Sequence, residues 1–126
     1  MVLRFDAAEV AALAADLTSL PPRMVKPIDG VFKSGAEAIE KTWRENAEET
    51  AGAHGKHYPK SIDHERLLGT SLAFEIGPNP AKKQGRMSFE MGSRNQPPHL
   101  DGQKAADVEV PRVERNIQTA LTFLGL

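Results

Sequence analysis

The sequence predicts an α+β domain: two long helices and a short N-terminal helix packed on a small antiparallel sheet with a long-looped hairpin. Three observations predict it. A stretch from Pro27 to Ala51 repeats apolar residues every three or four positions. Two short segments, around Phe74 and Phe89, alternate apolar and polar residues. A third periodic stretch closes the chain after Asp101. The length of 126 residues suits a single domain spanning 1–126.

The first helix is expected at the N-terminus. Asp6 can act as its N-cap, and Glu9 completes a capping box. Phe5 and Val10 are spaced as a hydrophobic staple, and Leu13, Leu17 and Leu20 continue the apolar face. Pro21 and Pro22 should end it. In the second helix, Ile28, Phe32, Ala36, Ile39, Trp43 and Ala47 form one face. Trp43 lies in register with that face and reads as core. Glu37 with Lys41, and Glu40 with Arg44, stand four apart in the favourable order. The helix should fail at the glycines of 52–55.

Residues 61–68 are ambiguous between strand and loop. Leu72, Phe74 and Ile76 alternate with Ala73 and Glu75, and Met87, Phe89 and Met91 alternate with Ser88 and Glu90. The two segments are expected to pair as a hairpin across GPNPAKKQGR, residues 77–86. Glu75 and Glu90 should then face outward from the sheet. In the last helix Asp101 can serve as cap, and Ala105, Val113, Ile117, Ala120, Leu121 and Leu124 supply a stripe. Pro111 falls inside and should kink or break it, at a cost of about 3 kcal/mol.

Composition excludes several functions. There is no cysteine, so disulfides, thiolate catalysis and thiolate zinc sites are ruled out. A net charge of -1 argues against a general nucleic-acid binder. No apolar run approaches the ~20 residues of a membrane span, and the start lacks the pattern of a signal peptide. His54, His57 and His64 lie close together beside Asp63 and Glu65, yet their spacing matches no standard metal site. No phosphate cradle, nucleophile elbow or HExxH occurs, so no enzyme, cofactor or metal is expected. Lys82, Lys83 and Arg86 make the loop of 77–86 basic, with no acid in it. Such a tip suits phosphates or an acidic protein surface.

The order of motifs carries a resemblance. After the long helix come HYPKSI (57–62), FEIGP (74–78), FEMGSRNQPPHL (89–100) and EVPRVERNIQTAL (109–121). This series resembles the small tail-completion or neck proteins, the head–tail joining proteins of siphovirus-type tailed bacteriophages. It covers the chain from about Trp43 onward. Met91 departs from the aromatic that usually follows the glutamate. The resemblance implies a non-enzymatic virion protein of the neck or upper tail, assembled in the host bacterial cytoplasm. It would form a ring with copies of itself, six-fold by analogy, beside a stopper, terminator or tail-tube neighbour. Gly92, Ser93, Arg94, Pro97, Pro98 and His99 would supply contacts between subunits or rings. Gly92 would permit a sharp turn, and Pro97 and Pro98 would stiffen the loop before it docks. Lys82, Lys83 and Arg86 would face an acidic neighbour or genomic DNA in the channel. The alternative is a small intracellular module that binds nucleic acid or protein through the basic loop.

Overall fold

The structure, a computed structural model, describes residues 3–4, 11–15, 20–53, 55–67, 72–84, 87–94 and 96–125. It is a mixed fold of helices and antiparallel strands. The strands are β1 (Leu3–Arg4), β2 (Ala11–Ala15), β3 (Ile62–Arg66) and β4 (Leu72–Pro78), in the sheet order β1-β2-β4-β3. The helices are α1 (Pro22–Thr50), the single turn α2 (Ser88–Met91) and α3 (Asp101–Phe123). Two 3-10 turns, Tyr58–Ser61 and Pro80–Lys82, flank the sheet.

Helix α1 organises the core. Its expected face is the observed one: Ile28, Phe32, Ala36, Ile39, Trp43 and Ala47 are all buried, joined by Met24 and Gly35. Pro22 occupies its first turn, where a missing N–H costs nothing, so the proline pair opens this helix. Pro27 is absorbed within it. The helix packs on β3 and β4 and on α3, which also reaches β2. On β4, Leu72, Phe74 and Ile76 are buried while Ala73, Glu75 and Gly77 are half-buried. That alternation gives the sheet one core face and one outer face.

Two sequence expectations are corrected here. The N-terminal segment is not helical where it is described: Ala11–Ala15, including Leu13, pairs antiparallel with β4 from Ala11 opposite Ile76 to Ala15 opposite Leu72. A short alanine-rich helix is marginal alone, and pairing satisfies the free edge of β4. The expected cap and staple residues, Phe5, Asp6, Glu9 and Val10, lie outside the described residues, as does Leu17.

The second correction concerns the hairpin. The partner of β4 is β3, with His64 opposite Ile76, and not the segment that follows 77–86. With β2 on its other edge, β4 has no edge left for Met87–Met91. That segment closes instead as α2, with Met91 N–H donating to the Met87 carbonyl at 2.8 Å. The alternation is thereby inverted: Glu90 is buried, and Met91 is 48% exposed.

Helix α3 also departs from expectation. It runs from Asp101 to Phe123 with Pro111 inside and without a break. Asp101 is its first residue rather than its cap, and Leu100 stands before it in the left-handed region at φ 55°. The stripe holds: Ala105, Val113 and Ile117 are buried, and Ala120, Leu121 and Leu124 pack against the core. Pro111 is exposed and cannot donate to the carbonyl one turn back. Pro111→Ala restores that bond without disturbing the core. Part of the gain is offset because proline also restricts the unfolded chain. We expect a stabilisation of about 1–2 kcal/mol, measured by urea unfolding. An unchanged midpoint would show that the ring itself is required for packing.

Candidate functional site: the loop between α2 and α3

Residues 92–99 join α2 to α3, and both ends are clamped. The His99 N–H donates to the Phe89 carbonyl at 2.9 Å, and the Leu100 N–H to the Glu90 carbonyl at 3.1 Å. Between them Ser93 and Gln96 exchange backbone bonds of 2.9 and 3.3 Å. Gly92 has φ 84°, and a Cβ there would stand 2.9 Å from the Pro98 ring. Glycine is therefore required twice at this position, for its dihedral and for the close approach. Ser93, Arg94, Pro97 and Pro98 are exposed, while Gly92 and His99 are intermediate. Met91, Leu100 and Val108 add partly exposed apolar surface, at 48, 40 and 49%.

The base of this loop is a buried polar junction. The Glu90 carboxylate accepts from the Gly102 N–H at 2.8 Å and the Gln103 N–H at 3.0 Å, so it satisfies the free N–H groups that open α3. Burial raises its pKa above the ordinary value, against the lowering effect of those two bonds; nearby Asp101 adds to the rise. Asp101 is 1% exposed. Its Oδ2 accepts from the Thr50 hydroxyl at 2.6 Å, and its carbonyl accepts from Asn46 Nδ2 at 3.1 Å. One turn earlier on α1, Thr42 donates to Glu109 Oε1 at 3.0 Å. Thr42, Asn46 and Thr50 thus stitch α1 to α3 beside the apolar face. Their spacing of four is visible in the sequence, but polar residues at that spacing also fit a solvated face. At the other end Arg23 donates to the Leu124 carbonyl at 2.7 Å and closes the α3 C-terminus.

Aromatic contacts finish the junction. Tyr58 stacks on Phe89 with centroids 4.5 Å apart, and Phe89 meets the His99 ring edge-on at 5.8 Å. A Cβ on Gly55 would fall 2.6 Å from the Phe89 ring. HYPKSI and FEMGSRNQPPHL, far apart in sequence, therefore meet through Tyr58, Phe89 and His99.

The basic loop is placed differently from expectation. Lys82 Nζ bonds the Lys60 carbonyl at 3.0 Å and pairs with Asp63 Oδ2 at 3.0 Å, so it is engaged within the chain. Lys83 is exposed, in the left-handed region at φ 52°. Arg86 lies outside the described residues. The Lys82 contact brings in Lys60, which sequence reading passed over because the two lie on separate 3-10 turns. Burial pushes the Asp63 pKa up. Hydrogen bonds from Asn79 and Lys82, with the charges of Lys82 and Arg44, outweigh that and hold it below its ordinary value.

Among the described residues the histidines do not gather into a metal site. His57 is exposed before the first 3-10 turn, His64 lies on β3, and His54 is outside the described residues. His64 Nδ1 meets Glu40 Oε2 at 2.7 Å. Glu40 also pairs with Arg44 at 3.0 Å, as the helix spacing predicts, and Arg44 reaches on to the Ile62 carbonyl. A recess of about 620 Å³ beside this network is lined by Glu40, Asp63, His64, Glu65 and Glu75, among others. Glu65 and Glu75 are direct partners across β3 and β4. Among the described residues no group of three or more His, Asp or Glu is placed to hold a metal ion. No helix among them is long and apolar enough to cross a membrane.

No protein-family model matches the chain, and no curated protein or solved structure matches it either.

Proposed function

We propose that the chain is a non-enzymatic structural protein of the head–tail interface of a tailed bacteriophage, working as a ring of identical subunits in the neck or upper tail. The observation that carries this reading is the loop of 92–99. It follows the sequence pattern that resembles the neck proteins, it is fastened at both ends, and it presents exposed groups on a stiff frame. A loop whose shape is set in the free subunit loses little entropy on docking. Met91, Pro97, Pro98 and Leu100 would supply the desolvated centre of the contact and Arg94 a polar rim. A head-to-tail contact of this kind closes into a ring when its rotation permits. The neighbouring rings would be stopper, terminator or tail-tube proteins. Lys60 and Lys83 offer a basic edge for an acidic neighbour, whereas Lys82, already paired with Asp63, contributes less.

Light scattering over a range of concentration and salt tests the reading. The expected result is a discrete multimer, near six subunits, that Met91→Glu together with Arg94→Glu returns to monomer while helix content is kept. A protein monomeric throughout, with salt-dependent affinity for nucleic acid, would reject the ring and favour the binding-module alternative.

A further inference from the structure

A head-to-tail ring joins two different patches of the subunit, so the loop of 92–99 needs a complementary surface elsewhere on the chain. The recess of about 620 Å³ beside β3 has the charge for it. Outward residues of β3 and β4 line it: Glu65 stands directly opposite Glu75, and Asp63 opposite Gly77, which adds no side chain to the floor. Four carboxylates surround the space, and the fold compensates two of them. Glu40 pairs with Arg44 and meets His64, and Asp63 pairs with Arg44 and Lys82. Glu65 is exposed and Glu75 half-buried, and among the described residues neither side chain has an ion pair or a hydrogen bond. Like charges directly opposite on a sheet destabilise the pair. A cation shared between these two would remove that cost.

The chemistry selects the cation. Among the described residues no three His, Asp or Glu are placed to hold a metal ion. A guanidinium asks less of the site, because its flat fork of five donors can bridge two carboxylates. Arg94 offers such a group. It is exposed, it too has no bond or ion pair among the described residues, and its loop is fixed by the backbone bonds of Ser93, Gln96, His99 and Leu100. The two surfaces also lie where a ring requires them. Thr42, Asn46 and Thr50 on one flank of α1 hold α3, whose start anchors the loop. Glu40 and Arg44 on the other flank hold β3 and the recess. One subunit can therefore give its loop to one neighbour and its recess to the next. We propose that the recess is the socket for the loop of a second copy of this chain, with Arg94 of the neighbouring subunit seated between Glu65 and Glu75.

This socket rests on the ring itself, so the wild-type chain is measured first, by light scattering. Glu65→Lys together with Glu75→Lys should then return the multimer to monomer, because Arg94 of the neighbour would meet like charge. Helix content should be kept, since neither carboxylate is bonded within the chain. Arg94→Glu should give the same loss. Mixed in equal amounts, the two monomeric proteins should assemble again, because every contact in an alternating ring then sets acid against base. A multimer that survives Glu65→Lys with Glu75→Lys, yet dissolves with Met91→Glu and Arg94→Glu, would overturn the socket and leave the ring standing. So would two monomeric variants that fail to assemble when mixed. A wild-type chain monomeric throughout would overturn both.

Discussion

Gly102→Ala is expected to destabilise the fold by about 3 kcal/mol, despite placing a better helix former in α3. The added Cβ would meet three carbons of the Trp43 ring at 2.6 to 2.7 Å. The obstacle is a rigid buried ring, so nothing flexible can yield. In an open helix site the same change is worth about 1 kcal/mol in the opposite direction. Gly30 in α1 provides that comparison, since nothing lies within 4 Å of a Cβ there. Chemical denaturation of both variants should therefore give effects of opposite sign. Trp43→Phe in the Gly102→Ala background should recover part of the loss, because the smaller ring removes the overlap. Additive losses in the double variant would show that the overlap is not the cause.

Glu90→Ala should cost a similar amount, about 3 kcal/mol, because it leaves two N–H groups of α3 without acceptors and one of them is buried. Glu90→Gln keeps one acceptor oxygen and should cost about 1–2 kcal/mol. The pair also separates charge from geometry. Because the folded pKa of Glu90 lies above its ordinary 4.5, the native state binds more protons than the unfolded chain between those two values. Its contribution to stability is fully present below 4.5 and is lost as pH rises through the folded value. Urea midpoints measured on descending from neutral pH should therefore gain a stabilising component in wild type that Glu90→Gln lacks. Asp63 acts in the opposite sense and at lower pH. Its depressed pKa means that its contribution holds above 3.8 and is lost in stronger acid. Identical pH profiles for wild type and Glu90→Gln would remove the assignment of a raised pKa to this group.

The parts legible in the sequence are those governed by long, one-sided periodicity. The face of α1 from Ile28 to Ala47 and the stripe of α3 could be read because each extends over many turns, and a single odd residue cannot shift such a pattern. The same holds for Leu72, Phe74 and Ile76 on β4. Short segments misled for a physical reason. Ala11–Ala15 has helix-forming residues and becomes a strand because β4 offers an edge. Met87–Met91 alternates like a strand and becomes a helical turn because no edge remains. The loop of 92–99 was legible through Gly92 and its prolines, whose backbone demands are local. The junction beneath it was not. Glu90 looked like a surface carboxylate, and nothing local indicates that its partners are the N–H groups of Gly102 and Gln103. Lys82 likewise looked free until the fold brought Asp63 to it.

The sheet order has a consequence for how the chain reaches this structure. Strands β3 and β4 are neighbours in sequence, and their hairpin can close early over a short loop. Strand β2 must wait, since Ala11 faces Ile76 and all of α1 lies between them. Closing so long a span lowers the entropy of the chain before any pairing compensates. During synthesis β2 emerges long before β4. Until β4 is made, its alanine-rich segment has only the two residues of β1 to pair with, and the edge of β4 it will occupy is the last part of the sheet to be covered.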